Sequence, residues 1–403
     1  MQVDSAGAGE GAPNHPDAKW MGVIAFLSHN MVIGCLMGSF SVMLASVEAR
    51  MGVTREMSSA VGAVVIFGSA LMGSFAGPLV ARHSLKLMLF IGAVLSVAGY
   101  LALAFTTSYP VYVGTYLLLF GPSMAIAGSV GPATLVTRWF DRNRGLALGL
   151  VHLSFIVAVM PILCNWILEN YGAQAVYLKM GLLFAVPLVP ATLFVRVFPP
   201  GAEDRAQRVA HPEASATDDS LTVPEILKAP AFWMLAIAAG VVITQIMMLT
   251  FNIIPMAESL GIHRDQGAIL QATMSFAGMA GSIIFGWIAD RIGGARGMAL
   301  LAFNCAVLLA ILTLVKLPFT GLLVVIGLLG LHGAGMVPNV SRALSFSLGQ
   351  SSFSRAFGLQ GALSVPVTMV GIWGMGASFT RTGSYSSALL VVAAVMACMI
   401  PLA

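Results

Sequence analysis

The chain has 403 residues, of which 58% are hydrophobic and only 9% are charged, and its mean hydropathy is +0.91. These values exclude a typical soluble domain, in which about a quarter of the residues carry charge. They indicate an integral membrane protein, and no nucleic-acid partner is needed to explain the net charge of +4.

Apolar runs of about 20 residues, each long enough to cross a bilayer as a helix, follow one another along the chain. None alternates apolar and polar residues as a transmembrane barrel strand does. We predict an all-α integral membrane protein with twelve transmembrane helices in two six-helix pseudo-repeats. The predicted spans are 20–47, 58–81, 86–106, 110–136, 144–168, 174–195, 230–256, 266–289, 296–315, 319–341, 356–378 and 384–402.

Two polar segments divide this pattern. Residues 1–19 lack the basic region and cleavage site of a signal peptide, so they are predicted to form a cytoplasmic tail before a retained first helix. The segment 198–229 opens with Pro199-Pro200-Gly201 and is rich in charged residues, Ser and Thr, which is typical of a linker. The predicted halves are 20–197 and 230–403.

The basic residues predict the orientation. With the N-terminus in the cytoplasm, 14 of the 20 basic residues fall on the inside. The positive-inside rule therefore favours a multi-pass protein of the cell (inner) membrane with both termini cytoplasmic. The inside residues are Lys19, Arg82, Lys86, Arg138, Arg142, Arg144, Arg196, Arg205, Arg208, Lys228, Arg291, Arg296, Arg342 and Arg355.

Two sequence matches at nearly one offset indicate an internal duplication. Gly77-Pro-Leu-Val-Ala-Arg82 follows the second helix, and Gly286-Trp-Ile-Ala-Asp-Arg291 follows the eighth. Arg144-Gly145 opens the fifth helix as Arg355-Ala356 opens the eleventh. Parallel six-helix halves around a midplane site are the architecture of one large class of secondary transporters.

The Gly-x-Leu-x-Asp-Arg-x-Gly type of loop after helices 2 and 8 resembles the major facilitator superfamily. The second copy is nearly complete, whereas the first has Ala81 in place of the acid and Ser84 in place of the second glycine. Within that superfamily, Arg138-Trp-Phe-Asp-Arg-Asn-Arg144 followed by Ala147 and Gly149 resembles the signature of the monocarboxylate and oxalate/formate carrier group. The resemblance implies the major facilitator fold and covers nearly the whole chain after residue 20.

The chain departs from that group where substrate charges are expected. Monocarboxylate carriers that resemble it place a lysine in helix 1 and an Asp/Arg pair in helix 8, and the corresponding positions here are Gly38, Gly278 and Ser282. Oxalate/formate exchangers use basic residues in helices 8 and 11, and helix 11 here has Gln360 as its long polar side chain. No substrate is carried over from those sites.

Clustered charges in the predicted cytoplasmic loops have two interpretations. They fix the topology, and they could also act as a gate that latches one face shut. Topology and solubility alone would explain them, but the resemblance favours gating. The candidate gating residues are Arg82, Lys86, Arg138, Asp141, Arg142, Arg144, Asp290 and Arg291.

No acidic residue lies near the middle of a predicted span, which argues against proton coupling through a buried carboxylate. Histidine can change its charge near pH 6.5, so His29, His152 and His332 are candidate proton-coupling residues. A membrane histidine is also often only a helix-helix hydrogen-bond donor. Polar pairs on three cavity-type helices form the candidate substrate-binding set, which is His29, Asn30, Gln245, Asn252, His332 and Asn339.

The sequence contains no motif for a metal, a cofactor or catalysis. The four cysteines lie in apolar spans without metal-type spacing, and neither a His-Glu-x-x-His, a Gly-x-Ser-x-Gly nor a phosphate-binding glycine loop occurs. We therefore expect no cofactor, no metal and no enzymatic activity.

The sequence favours a secondary active transporter that moves a small organic solute by alternating access. The resemblance implies a carboxylate, with proton symport or exchange against a counter-anion as the driving force. Two alternatives remain: an efflux carrier for an apolar or amphipathic compound, and a carrier-like membrane sensor. A sensor is expected to need an extra signalling domain or a long tail.

Overall fold

The structure is a computed structural model that describes residues 15–82, 84–140, 144–153, 155–200, 221–349 and 352–399. These residues form helices and connections, with no strand among them. Lipid offers no hydrogen-bond partners to the backbone, and a helix satisfies its own N–H and C=O groups. The predicted all-α architecture is confirmed.

Six helices precede the linker. Four of them are α1 Ala18–Met51, α2 Arg55–Arg82, α3 Leu85–Phe105 and α4 Tyr109–Trp139. The apolar stretch Leu146–Leu193 has 48 residues, about twice the length that a bilayer requires. Its helical path is broken at Gly172, where φ is 79°. We therefore separate it into α5, comprising Arg144–Val151 and 155–171, and α6, comprising 173–185 and Leu188–Leu193.

Six helices follow the linker, which contains a short helix at Val223–Lys228. They are α7 Pro230–Ser259, α8 Arg264–Ile292, α9 Gly294–Leu314, α10 Phe319–Leu348, α11 Phe353–Thr382 and α12 Ser386–Met399. Ten helical stretches in the described residues are long and apolar enough to span a membrane. Dividing Leu146–Leu193 into two passes and adding the shorter α12 gives the predicted twelve.

Two faces of the helix bundle are used as reference points below. The linker face carries the linker helix and the connection between α8 and α9, whereas the far face carries the connections between α1 and α2, α7 and α8, and α11 and α12. At the far face, α1 and α11 both end on a glycine in the left-handed conformation, Gly52 at φ 65° and Gly383 at φ 69°. We call α1–α6 the N half and α7–α12 the C half.

Candidate functional site

A cavity of about 260 Å³ lies between the N half and the C half. Residues from α1, α5, α7, α8 and α10 line it. Most of its lining is apolar, and the polar side chains in it are His152, Thr250, Ser275 and Ser282. None of the lining residues is permanently charged, so a charged solute would have to be held by neutral dipoles or by a protonated imidazole.

The glycine and serine that replace family charges belong to this cavity. Gly278 and Ser282 both line it from α8. Gly38, in contrast, is packed against α5, since a Cβ there would lie 2.6 Å from the Cβ of Met160. The C-half wall is thus neutral where monocarboxylate carriers are expected to carry an Asp/Arg pair.

A larger groove of about 450 Å³ lies between α7, α11 and α12. It is formed within the C half alone. A transport site is expected between the halves, where both can contact one solute. The central cavity is therefore the candidate site, although the groove has the greater volume.

Two histidines from different helices of the N half meet at the cavity wall. The ring centroids of His29 and His152 are 4.6 Å apart, and His152 lines the cavity. His29 is only 7% exposed, and its Nδ1 lies 2.6 Å from the carbonyl oxygen of Gly128. Nδ1 of His152 lies 2.9 Å from the carbonyl oxygen of Leu148.

These contacts determine the hydrogen-bonding state of both rings. A carbonyl oxygen only accepts, so Nδ1 of each imidazole must carry the proton, and Nε2 of each neutral ring then offers a lone pair. Among the described residues, Nε2 of buried His29 has no partner, and none is found for Nε2 of His152. The pair therefore presents two unused acceptors beside an apolar cavity.

Asn30 supports the neighbouring backbone of α5. Helix α5 is interrupted after Val151 and restarts at Phe155, which leaves the first N–H groups of the second segment without helical partners. Oδ1 of Asn30 accepts from the N–H of Ile156 at 3.2 Å, and its Nδ2 donates to the carbonyl oxygen of Phe26 at 3.2 Å. Because both ends of this fully buried amide are occupied, its substrate-binding role stays a prediction that would require the amide to change partners.

The two predicted polar residues of α7 lie in different surroundings. Gln245 is 1% exposed, and neither end of its amide has a partner among the described residues. It faces Gly333 of α10, beside the cavity-lining Ile246. Asn252 is fully buried, and its Oδ1 accepts from Ser59 of α2 at 2.7 Å. Gln245 thus keeps unused hydrogen-bonding capacity near the cavity, whereas Asn252 joins the two halves.

The two predicted residues of α10 contact neighbours within the C half. Nε2 of His332 lies 3.1 Å from Nδ2 of Asn304 on α9, and its Nδ1 lies 2.7 Å from the carbonyl oxygen of Leu328. Asn339 is fully buried, donates to the carbonyl oxygen of Gly335 at 2.8 Å and packs on Gly297 of α9. The structure therefore does not bring His332 and Asn339 together with His29, and their substrate-binding roles stay predictions.

The predicted gating residues lie at the linker face or near it. Asp141 and Arg142 lie outside the described residues, and only the backbone of Arg82 and Arg144 is described. Lys86 is half-buried in the first turn of α3. Their gating roles stay predictions.

Three gating residues have described side-chain contacts, and each contact stays within one half. Arg138 is 7% exposed, and its guanidinium lies 4.5 Å from the ring centroid of Phe198. Nη1 of Arg342 donates to Oδ1 of Asp290 at 2.8 Å, and Arg291 stacks on Trp287 with 3.8 Å to the ring centroid.

The halves are joined by hydrogen bonds at the far face that the sequence analysis did not anticipate. Besides the Ser59–Asn252 bond, Ser41 accepts from the N–H of Ile254 at 3.1 Å, and Gln271 donates to the carbonyl oxygen of Met37 at 3.3 Å. Small or amide side chains inside apolar runs were the available signal. A sequence gives no indication of which helix such a side chain meets.

The outer rim of the far face adds contacts between α2, α11 and α12. Trp373 Nε1 donates to Oε1 of Glu56 at 2.9 Å, and Arg55, which pairs with Glu48, donates to the hydroxyl of Tyr385 at 2.8 Å. Burial raises the pKa of the Tyr385 phenol to about 12, and Arg55 lowers it by a smaller amount. Tyr385 therefore stays neutral at physiological pH.

Close helix approach and aromatic packing complete this closure. A Cβ at Gly376 of α11 would lie 2.8 Å from the carbonyl oxygen of Arg55 and 2.8 Å from the Cβ of Ser59. Below this contact, the rings of Phe40 and Phe251, one from each half, meet edge to face with centroids 4.6 Å apart. Among the described residues, the hydrogen bonds between the halves all lie toward the far face, apart from those that the linker makes.

Comparison with known proteins identifies relatives of this arrangement. The oxalate:formate antiporter of Oxalobacter formigenes is 23% identical over 320 residues, which cover 79% of this chain and 74% of that protein. The uncharacterized MFS-type transporter YcxA of Bacillus subtilis (strain 168) is 22% identical over 406 residues, covering 94% and 92%. The MFS-type transporter pynF of Aspergillus niger is 25% identical over 252 residues, covering 62% and 55%.

The family model described as Major Facilitator Superfamily matches residues 24–372, which run from α1 into α11. This range includes the central cavity, the histidine pair and most of the far-face contacts. The chain therefore belongs to the major facilitator superfamily of transporters.

Proposed function

We propose that this transporter moves a small organic acid across the membrane and that the His29–His152 pair binds its carboxyl group. The observation that carries the proposal is the pair of unused Nε2 acceptors at the cavity wall. The resemblance to an oxalate:formate antiporter at 23% identity supports a carboxylic substrate.

The chemistry of the pair suits a carboxylic acid that travels with its proton. The O–H of a protonated acid can donate to Nε2 of His152, and the proton can pass to that nitrogen to leave an imidazolium beside a carboxylate. Repulsion between two cations 4.6 Å apart disfavours a second charge on His29. The site would then bind one acid and one proton together and carry no fixed charge when it is empty.

Transport would follow alternating access between the two halves, 20–197 and 230–403. The far-face contacts hold one end of the cavity shut, and their release would expose it on that side. We place the linker face and both termini in the cytoplasm, as the distribution of basic residues favours. Proton symport or exchange against a second anion would supply the driving force.

Efflux of an apolar or amphipathic compound is the second candidate. The apolar lining of the cavity favours it, because van der Waals contact would hold such a compound without compensating a charge. Under this alternative the two histidines would have a packing role, and their removal would leave the proton dependence of transport unchanged.

The test is uptake of labelled oxalate, formate and larger monocarboxylates into proteoliposomes, with and without an inward proton gradient. His29→Ala and His152→Ala are compared with His332→Ala, whose imidazole contacts Asn304 away from the pair. We expect gradient-stimulated uptake of one acid, reduced about tenfold or more in the first two variants, since general acid–base groups contribute at least that much.

The outcomes separate the competing functions. If none of these acids is taken up while the folded protein reconstitutes normally, the carboxylic substrate is wrong and efflux takes its place. If uptake is lost in His332→Ala but kept in the other two variants, the binding site lies on α10, as the sequence alone also allowed.

A further inference from the structure

Three ionisable side chains from both halves converge at the far face, outside the central cavity. Glu169 lies near the end of α5, and His263 and Asp265 lie where α8 begins. One nitrogen or oxygen atom of each lies within 4.8 Å of the others. His263 Nδ1 is 3.3 Å from Oδ2 of Asp265, and both side chains are more than half exposed.

A buried amide faces the same cluster. Asn165 of α5 is 1% exposed, and its Nδ2 donates to Oε1 of Glu169 at 3.1 Å and also contacts Oδ1 of Asp265. Its Oδ1 has no partner among the described residues. The two ends of an amide are assigned from hydrogen bonding, and a half-turn of the amide would direct Oδ1 toward the two carboxylates.

The charge of the cluster is not compensated by a permanent cation. Among the described residues, neither Glu169 nor Asp265 pairs with a lysine or arginine, and the neighbouring Arg264 pairs instead with Glu258 at 2.8 Å. Two carboxylates brought together in this way repel each other unless a proton or a metal ion lies between them. A cation from the solution at the far face can reach the exposed carboxylates directly.

We infer that Glu169, His263, Asp265 and Asn165 form a divalent-cation site that bridges the two halves, with a ligand set suited to Zn²⁺. One imidazole, two carboxylates and one amide oxygen make a mixed nitrogen and oxygen set. Tetrahedral zinc holds such ligand atoms roughly 3.4 Å apart, so exposed side chains now within 4.8 Å need to close by only about 1–1.5 Å.

The position of the site gives binding a conformational consequence. Glu169 and Asn165 belong to the N half, whereas His263 and Asp265 belong to the C half. The complete ligand set exists only while the far face is closed, so the ion binds that arrangement more tightly and stabilises it. The sequence did not reveal this site, because its ligands are almost 100 positions apart and have no motif spacing.

The test is titration of the purified, untagged, full-length protein with ZnCl₂ in detergent by isothermal calorimetry. Glu169→Gln and His263→Ala each remove one ligand. His15→Ala is the matched control, because His15 and Asp17 repeat the His-x-Asp arrangement, with the same contact from the Asp N–H to Nδ1 of the histidine. Asp17, however, pairs with Arg196.

We expect one Zn²⁺ per chain, with affinity about tenfold or more weaker in Glu169→Gln and in His263→Ala and unchanged in His15→Ala. Unchanged affinity in Glu169→Gln would overturn the bridging site, because the ion would then need only the His-x-Asp segment of the C half. Unchanged affinity in His263→Ala would overturn the site itself. Neither result depends on the transported substrate, so the test is separate from that of the proposed function.

Discussion

At the far face, hydrogen bonds from Ser59, Glu56 and Asn165 cross from the N half to the C half. At the linker face, the ion pairs Asp17–Arg196 and Asp290–Arg342 each remain within one half. The charged motifs that dominate the sequence therefore reinforce individual halves, whereas inconspicuous polar side chains join them. The comparison teaches that the strength of a sequence signal does not indicate which contacts hold two domains together.

The energetic reason lies in the surroundings of each contact. Exposed ion pairs contribute about 0–1 kcal/mol, because water competes for both charges. A buried hydroxyl or amide left without its partner costs about 1–3 kcal/mol. The Ser59–Asn252 bond is fully buried, whereas the side chains of Asp290 and Arg342 are 69% and 51% exposed. Closure of the far face should therefore be the more sensitive of the two to substitution.

Replacing Gly376 should have the largest effect. In Gly376→Leu, the new side chain would clash with Arg55 and Ser59 of α2 and favour separation of the halves, at a cost of about 1–3 kcal/mol to the closed far face. The measurement is the distance between spin labels at Asn170→Cys and Leu260→Cys in a Cys398→Ser background, by pulsed electron paramagnetic resonance. That distance should lengthen and its distribution should broaden.

Gly374→Leu is the control for this substitution. Gly374 is two residues away on the same helix, and no atom lies within 4 Å of the position of its Cβ. The label distance should be unchanged in this variant. Equal effects of the two substitutions would show that the close approach of α2 and α11 is not what keeps the far face closed.

Ser59→Ala should come next in size. It leaves Oδ1 of buried Asn252 without its cross-half partner, so the folded protein should lose about 1–3 kcal/mol of stability and unfold at a lower temperature. Thermal unfolding in detergent measures this change. Thr273→Ala, which removes a hydroxyl bonded within its own helix to Ile269, should shift the transition by less.

Trp373→Phe should have a smaller effect. It removes the N–H that donates to Glu56 across the halves but keeps most of the aromatic surface, and the contact is exposed, so a loss of up to about 1 kcal/mol is expected. The loss should diminish at high salt, because Glu56 is charged. Trp20→Phe, at the linker face, should show no such salt dependence.

Asp290→Asn should have the smallest effect on stability. The exposed pair with Arg342 contributes about 0–1 kcal/mol and lies within the C half, so the far-face label distance should not change. A large change in that distance would contradict the assignment of closure to the far face. A slower transport rate at unchanged stability would instead support the predicted gating role of Asp290.

Much of the fold could be predicted from the sequence, because bilayer thickness and backbone hydrogen bonding constrain a helix strongly. The break at Gly172 coincides with the predicted gap between 144–168 and 174–195. The interruption of α5 after Val151 was not anticipated, because its N–H groups are satisfied by Asn30, a residue 126 positions earlier than Ile156.

The candidate site was predictable only in its residue types. Polar side chains within apolar helices were recognisable, and His29 and His152 do meet. Asn252 and Asn339 have the same chemistry, yet one crosses to α2 and the other packs on α9. Which neighbour a side chain faces depends on helix rotation and tilt, which the packing of several helices determines together.

The most direct measurement compares the two faces in the unsubstituted transport pathway. Spin labels at Asn170→Cys and Leu260→Cys report the far face, and labels at Leu146→Cys and Phe346→Cys report the linker face, each pair in nanodiscs with Cys398→Ser. We expect a narrow distance distribution at the far face and a broader one at the linker face. A narrow linker-face distribution combined with a broad far-face one would contradict closure by the Ser59, Asn252 and Gly376 contacts.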